Sequence, residues 1–186
     1  MGLIQDRLEK MRDTFPVPEY ARLNRSLGLG MHGYLEVFPG ALSSPGMRRV
    51  ARTPQARREL LENAKVHISA MPGFAYINTR VPCIELAWTY FEVGSHLDLY
   101  LDMLHEVTHL RQLSEGADLW DNNFSYVDRI TEIEGYAVAV EEGRRLGMTP
   151  EAIRAHLHNP WMSEADVTRL ERSIDAFLHK AGPAPP

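Results

Sequence analysis

The sequence predicts an α+β fold, with a small antiparallel or mixed sheet at about residues 66–91 followed by a run of helices. Three observations predict it. Val66–Met71, Phe74–Thr79 and Ile84–Phe91 are short stretches rich in β-branched and aromatic residues, and Pro72-Gly73 and Arg80–Pro82 punctuate them as strands. From about residue 96 onward, apolar residues recur at helical spacing. Capping residues and glycines bracket those later stretches where helices should start and stop.

The elements follow in order. Leu3, Ile4, Leu8 and Met11 have helical spacing, and Pro16 and Pro18 end that helix. Residues 24–48 are rich in Gly, Ser and Pro and read as irregular, with a short strand at Tyr34–Phe38. Thr53 followed by Pro54 is an N-cap with proline at the first helical position, opening a helix to about Lys65. After the strands, a helix is expected from Ser95 to Ser114, stopped by Gly116, and a second from about Asn123 to Leu146, stopped by Gly147. Thr149-Pro150-Glu151 starts a short third. Ser163-Glu164-Ala165-Asp166 resembles a capping box with Asp in the place of Glu, and opens a fourth to about Lys180.

Composition narrows the function classes. At 186 residues the chain is long enough for one domain, 1–186, with its own core. The net charge of −5 is spread along the chain, which gives no electrostatic case for nucleic acid or an anionic membrane as partner. Cys83 is the one cysteine, so no disulfide forms within the chain, which fits a reducing compartment. Met1–Arg12 carries Asp6, Arg7, Glu9, Lys10 and Arg12 and lacks the apolar run of a signal peptide. A soluble, cytoplasmic protein is expected. The cluster Arg48, Arg49, Arg52, Arg57 and Arg58 reads as a solvated helix face. His32, His67, His96, His156, His158 and His179 read as strand, surface or core-edge residues, and Cys83 as a packing residue.

The chemistry lies in His105-Glu106-Val107-Thr108-His109. On a helix the two histidines are one turn apart on one face, so two imidazole nitrogens can reach one metal ion. Glu106 suits a carboxylate that polarises a metal-bound water without being a ligand. A catalytic zinc usually takes three protein ligands. No histidine follows soon after His109, where Leu110-Arg111-Gln112-Leu113 stands, so the three-histidine subclass is excluded. The next helix offers Glu132 and Glu134. Residues two apart lie on different helix faces, so only one of them can point at the ion. Glu134 shares its face with Val127, Ile130, Ala137 and Val138, and Glu132 with Gly135, Ala139 and Gly143; periodicity leaves the choice open.

The pair of motifs resembles the gluzincins, metallopeptidases whose third zinc ligand is a Glu on a helix after the His-Glu-x-x-His helix. Glu134-Gly135-Tyr136-Ala137 is similar to the Glu-Gly-Phe-Ala segment of gluzincin aminopeptidases. The chain looks most like the small minigluzincins, over roughly residues 66–146, with 1–65 and 147–186 as flanking segments. The resemblance implies a zincin-like fold and a zinc metallopeptidase acting on a peptide or protein substrate. It implies Zn2+ held by His105, His109 and Glu134, with Glu106 as general base and then general acid. It also implies that Ile84–Phe91 is an edge strand that pairs with extended substrate. Tyr126, Tyr136, Arg129 and His96 are candidate oxyanion donors, and Asp128, Asp102 and Glu141 candidate partners for the ligating histidines. A second reading keeps the gluzincin scaffold as a latent or non-catalytic binding protein, with Trp161–Lys180 or residues 24–48 lying over the cleft.

Overall fold

The computed structural model describes residues 17–182. The helix expected at Leu3–Met11 lies outside them. Four strands and eight α-helices follow one another as β1 (Gly30–Gly33), α1 (Tyr34–Val37), α2 (Pro45–Val50), α3 (Pro54–Asn63), β2 (Lys65–Ser69), β3 (Ala75–Asn78), β4 (Cys83–Ala87), α4 (Trp88–Val93), α5 (His96–Ser114), α6 (Ile130–Arg145), α7 (Pro150–Leu157) and α8 (Glu164–Ala181), among the described residues. The fold is α+β. None of the described helices is long and apolar enough to cross a membrane.

The sheet is mixed, in the order β1-β2-β4-β3, with β2 and β4 parallel and the two outer pairs antiparallel. Val66 pairs with Ile84, which pairs with Ile77, and Ile68 pairs with Leu86. Alternation along a strand puts these side chains on one face, and all five are buried in the main core. On the other face the Glu85 carboxylate accepts from His67 Nδ1 at 2.9 Å and from Asn78 Nδ2 at 3.1 Å.

Two expectations about the strands are corrected. Ile84–Phe91 is not one edge strand. Its first half is β4, which lies between β2 and β3 and is buried throughout, and its second half turns into α4 after the Ala87 amide bonds the Phe74 carbonyl. A run of apolar residues fits a central strand flanked on both sides. Tyr34–Phe38 is a helical turn rather than a strand. The strand lies just before it at Gly30–Gly33, and the Glu36 carboxylate accepts from the Gly33 amide at 2.5 Å. The segment before residue 66 thus supplies an edge of the sheet and, through Tyr34, Phe38, Met47 and Leu61, part of the main core.

The helices start where their caps predict. Thr53 Oγ1 accepts from the Ala56 amide, Ser95 Oγ from Asp98, Thr149 Oγ1 from Ala152, and Ser163 and Asp166 form the reciprocal capping box. The glutamate helix, α6, starts seven residues later than the periodicity suggests. Asp121 Oδ1 holds the Asn123 amide at 2.9 Å, and a 3-10 turn at Tyr126–Asp128 follows. Asp and Asn side chains that bond the backbone two residues on divert it from the helix.

The motif helix, α5, is the centre of the molecule. Leu99, Tyr100, Leu101, Met103, Leu104 and Val107 are buried on several of its faces, as expected of a helix covered on all sides. It packs under the sheet on one side and most extensively against the glutamate helix on another. A second cluster, including Val140, Leu157, Val167 and Ile174, joins the far side of the glutamate helix to α7 and α8.

Candidate metal site

His105 and His109 lie one turn apart on the motif helix with their rings edge to face, centroids 4.5 Å apart, and their Nε2 atoms 2.8 Å apart. Glu132, in the first turn of the glutamate helix, brings Oε2 to 3.3 Å from His105 Nε2 and 3.5 Å from His109 Nε2. All three residues are buried, with donor atoms within 4.8 Å of one another. Among the described residues this is the group that could hold a metal ion.

The donor set fits such an ion. Lone-pair atoms that face one another away from water repel unless a proton or a cation lies between them. Glu132 Oε2 is buried without a hydrogen-bond partner. Two imidazole nitrogens and a carboxylate oxygen suit a divalent transition metal. The Gln112 amide nitrogen donates to the Thr131 carbonyl at 3.1 Å and to Glu134 Oε2 at 2.7 Å, which turns its oxygen to His109 Nδ1 at 2.8 Å. A carbonyl oxygen only accepts, so Nδ1 carries a proton and Nε2 is the atom presented to an ion.

The structure places the two glutamates apart. Glu132 joins the histidines and Glu134 does not. Residues two apart on a helix point about 200° apart, so with Glu132 inward Glu134 faces away. Its Oε1 lies 2.8 Å from Arg111 Nη2, and its Oε2 accepts from Gln112. It lines a cavity of about 790 Å³ together with Arg49, Leu110, Arg111 and Phe177, to which none of the three clustered residues contributes.

Gly135 and Tyr136 fit around His105. A Cβ at Gly135 would stand 2.9 Å from His105 Nδ1 and 3.0 Å from Cε1, closer than carbon can pack. The Tyr136 ring lies on the same imidazole, centroids 4.3 Å apart. The Glu-Gly-Tyr segment thus serves the site through its glycine and tyrosine, while the glutamate that belongs with them is two residues earlier.

Glu106 is buried beside the group. Burial raises its carboxyl above the usual range, with Glu132 and Asp102 adding to the shift and His105 and His109 opposing it. His109 is affected by opposing causes. Burial lowers its pKa, but the close approach of the Glu132 carboxylate and the charge of Glu106 outweigh that and push it up to about 9. Burial raises the Glu132 pKa, and its two histidine partners outweigh the effect and hold it well below the usual carboxylate range.

Of the four candidate donors, two are at the site. Tyr136 OH and Tyr126 OH are 2.8 Å apart, and Asn159 Nδ2 donates to Tyr136 OH at 2.8 Å. Burial raises the pKa of both phenols, with Glu132 and Glu106 among the further causes, so both are neutral near pH 7. Trp161 packs edge-on against Tyr126, centroids 6.2 Å apart. The other two candidates are engaged elsewhere. His96 is at the start of the motif helix, where Nδ1 accepts from the Leu23 amide, and Arg129 donates to the Asp121 carbonyl and lies over the Trp120 ring.

None of the expected histidine partners takes that part. Asp128 pairs with Arg169, Glu141 with Arg49, and Asp102 with Tyr90 OH and, at 3.5 Å, with His156 Nε2. Gln112 does so instead, and its position three residues after His109 is a helical-neighbour signal present in the sequence. Asn159 carries no such signal, because only the tertiary fold brings it to Tyr136. His156, read as a surface or core-edge residue, is buried between Asp98 and Asp102 of the motif helix. No known protein family, curated protein or solved structure matches this chain.

This geometry makes two outcomes measurable. Gly135→Ala adds a better helix former, worth about 1 kcal/mol in a helix interior, yet pushes on the His105 ring. Metal affinity measured by chelator competition should fall by about 10-fold or more while helix content by circular dichroism is unchanged; unchanged affinity would show that the ring is not held by this contact. For metal-free protein, a raised His109 pKa contributes stability that is complete below about pH 6.5 and is lost as pH rises through about 9. The urea stability advantage of the native chain over His109→Gln should therefore shrink between pH 7 and pH 10. An advantage that stays constant would mean that His109 and Glu132 are not paired.

Proposed function

We propose that this chain is a zinc-dependent metallopeptidase with a gluzincin-like arrangement, in which His105, His109 and Glu132 hold the ion and Glu106 moves the proton. The observation that carries the reading is the convergence of two imidazole nitrogens and one carboxylate oxygen in a buried cluster beside a further buried carboxylate. Three protein donors leave a position for water or substrate, as in catalytic rather than structural zinc sites. A zinc ion bound there supplies a Lewis acid for the scissile carbonyl and makes water acidic enough to attack near pH 7.

The rest of the reaction falls to the protein's own groups. Glu106 takes a proton from the attacking water as the water oxygen bonds the scissile carbon. It then gives that proton to the nitrogen as the carbon–nitrogen bond breaks, so the products are a carboxylic acid and an amine. The tyrosine pair supplies the hydrogen-bond donor for the oxyanion. With Asn159 donating to Tyr136, the two hydroxyls hold one proton between them and one to give outward. Extended substrate has an edge to pair with in β3, which among the described residues has β4 on one side only and packs on the motif helix.

The purified protein should bind one equivalent of zinc. Glu132→Ala should abolish stoichiometric binding, whereas Glu134→Ala should retain it with weaker affinity; a Glu132→Ala protein that binds zinc as the native chain does would return the third-ligand role to Glu134. Glu106→Gln should keep the metal and lower hydrolysis of a mixed peptide substrate by about 10²–10⁴-fold. Hydrolysis that survives this change would sink the assignment of the base.

A further inference from the structure

We propose that Glu134 is a positioning residue that sets the orientation of the ligand His109 through Gln112. The inference rests on the metal site proposed above. Glu134 is not in that site, yet it ends a chain of side chains that leads there. Arg111 Nη2 lies 2.8 Å from Glu134 Oε1, Glu134 Oε2 accepts from Gln112 Nε2 at 2.7 Å, and Gln112 Oε1 accepts from His109 Nδ1 at 2.8 Å.

The donors and acceptors in this chain permit one orientation. A primary amide can face His109 with either its oxygen or its nitrogen, and the two differ little in shape. If the nitrogen faced His109, Nδ1 would have to accept, Nε2 would carry the ring proton, and the metal-facing atom would be blocked. Glu134 and the Thr131 carbonyl both accept only, so both require the nitrogen on their side. The Arg111 guanidinium, ion-paired with Glu134 Oε1 at 2.8 Å, holds that carboxylate across the space between the two helices. Gln112 and His109 are buried, so water does not substitute for a mismatched partner. The chain thus joins the two helices that carry the metal donors: Arg111, Gln112 and His109 stand on the motif helix, and Glu134 on the glutamate helix, two residues from Glu132.

A reciprocal exchange tests this. In Glu134→Gln the new amide must satisfy Arg111 with its oxygen, which sets its nitrogen against the Gln112 nitrogen. In Gln112→Glu two carboxylates meet. In the double variant, Glu134→Gln with Gln112→Glu, the amide on the glutamate helix donates to the carboxylate on the motif helix. That carboxylate accepts from His109, so the polarity is restored between the two exchanged residues and His109, while the Thr131 carbonyl loses the donor it has in the native chain. Zinc affinity by chelator competition should fall by about 10–100-fold in each single variant and recover in part in the double, which regains the 134–112 bond but not the one to the Thr131 carbonyl. In metal-free protein labelled with ¹⁵N, the His109 Nδ1 proton should be slow to exchange in the native chain and in the double variant. It should be lost to exchange in Glu134→Ala. Should Glu134→Ala fail to fold, the isosteric exchange variants carry the test alone. If the single variants bind zinc as tightly as the native chain and keep the protected Nδ1 proton, the proposal is overturned. Recovery in the double variant supports it. A native chain that binds no zinc but shows the protected proton, lost in Glu134→Ala, would overturn the metal reading and leave the hydrogen-bonded chain in place.

Discussion

Everything at this site depends on the burial of the polar face of the motif helix. His105, Glu106 and His109 are carried on a largely buried helix, between the sheet and the glutamate helix. A buried imidazole or carboxylate without a partner costs several kcal/mol, and here His105 Nδ1 and Glu132 Oε2 have no hydrogen-bond partner among the described residues, so the close neighbours of the group matter. Glu132 meets the two Nε2 atoms, Gln112 the outer nitrogen of His109, and Tyr136 and Gly135 fit closely around the His105 ring. The same enclosure raises the Glu106 pKa and brings two neutral phenols to the site. An exposed helix face with the same residues would need none of these partners and would have none of these properties.

The close approach of the two central helices meets the same demand. The glutamate helix presents Gly135, Ala139 and Gly143 along one side, and Ala139 is fully buried. Gly135 lies against His105, while Gly143 lies against Leu101 and Met148. Small residues let the helices approach closely enough for Glu132 to reach the histidines of its neighbour. Beyond the glutamate helix, α8 completes the second apolar cluster, and the connection before it delivers Asn159 to Tyr136 and Trp161 to Tyr126. The segment after residue 147 therefore contributes directly to the surroundings of the site.

Much of this is legible in the sequence because helices announce themselves locally. The caps at Thr53, Ser95, Thr149 and Ser163 lie where the residue types place them, and the His-Glu-x-x-His spacing puts both histidines on one face. The strands are legible as strands but not in their order. Nothing in a short apolar run reports its neighbours, so the central place of β4 and the pairing of Gly30–Gly33 with β2 emerge only from the fold. The place of Glu132 beside the histidines escapes the sequence for a related reason. Glu132 and Glu134 differ in helix phase, and phase is read from the residues that flank them. Val127 and Ile130 suggest that the Glu134 face is the inward one. But Val127 belongs to the 3-10 turn before the helix, and Ile130 is largely exposed. The small-residue stripe through Gly135 and Ala139 is the true contact face, and it points to Glu132.

The same difference in phase explains why both glutamates can be held in place. Two carboxylates two residues apart on one helix turn would repel if both were buried in the same pocket. Here the helix itself separates them. Glu132 is nearly inaccessible and its charge is balanced by imidazoles, whereas Glu134 is part-exposed at the cavity wall and balanced by the Arg111 guanidinium. One carboxylate can then serve as a donor to a cation while the other acts only through Gln112. Their functions differ because the pairing partners differ, and the partners differ because α-helical geometry turns the two side chains to opposite sides of one backbone.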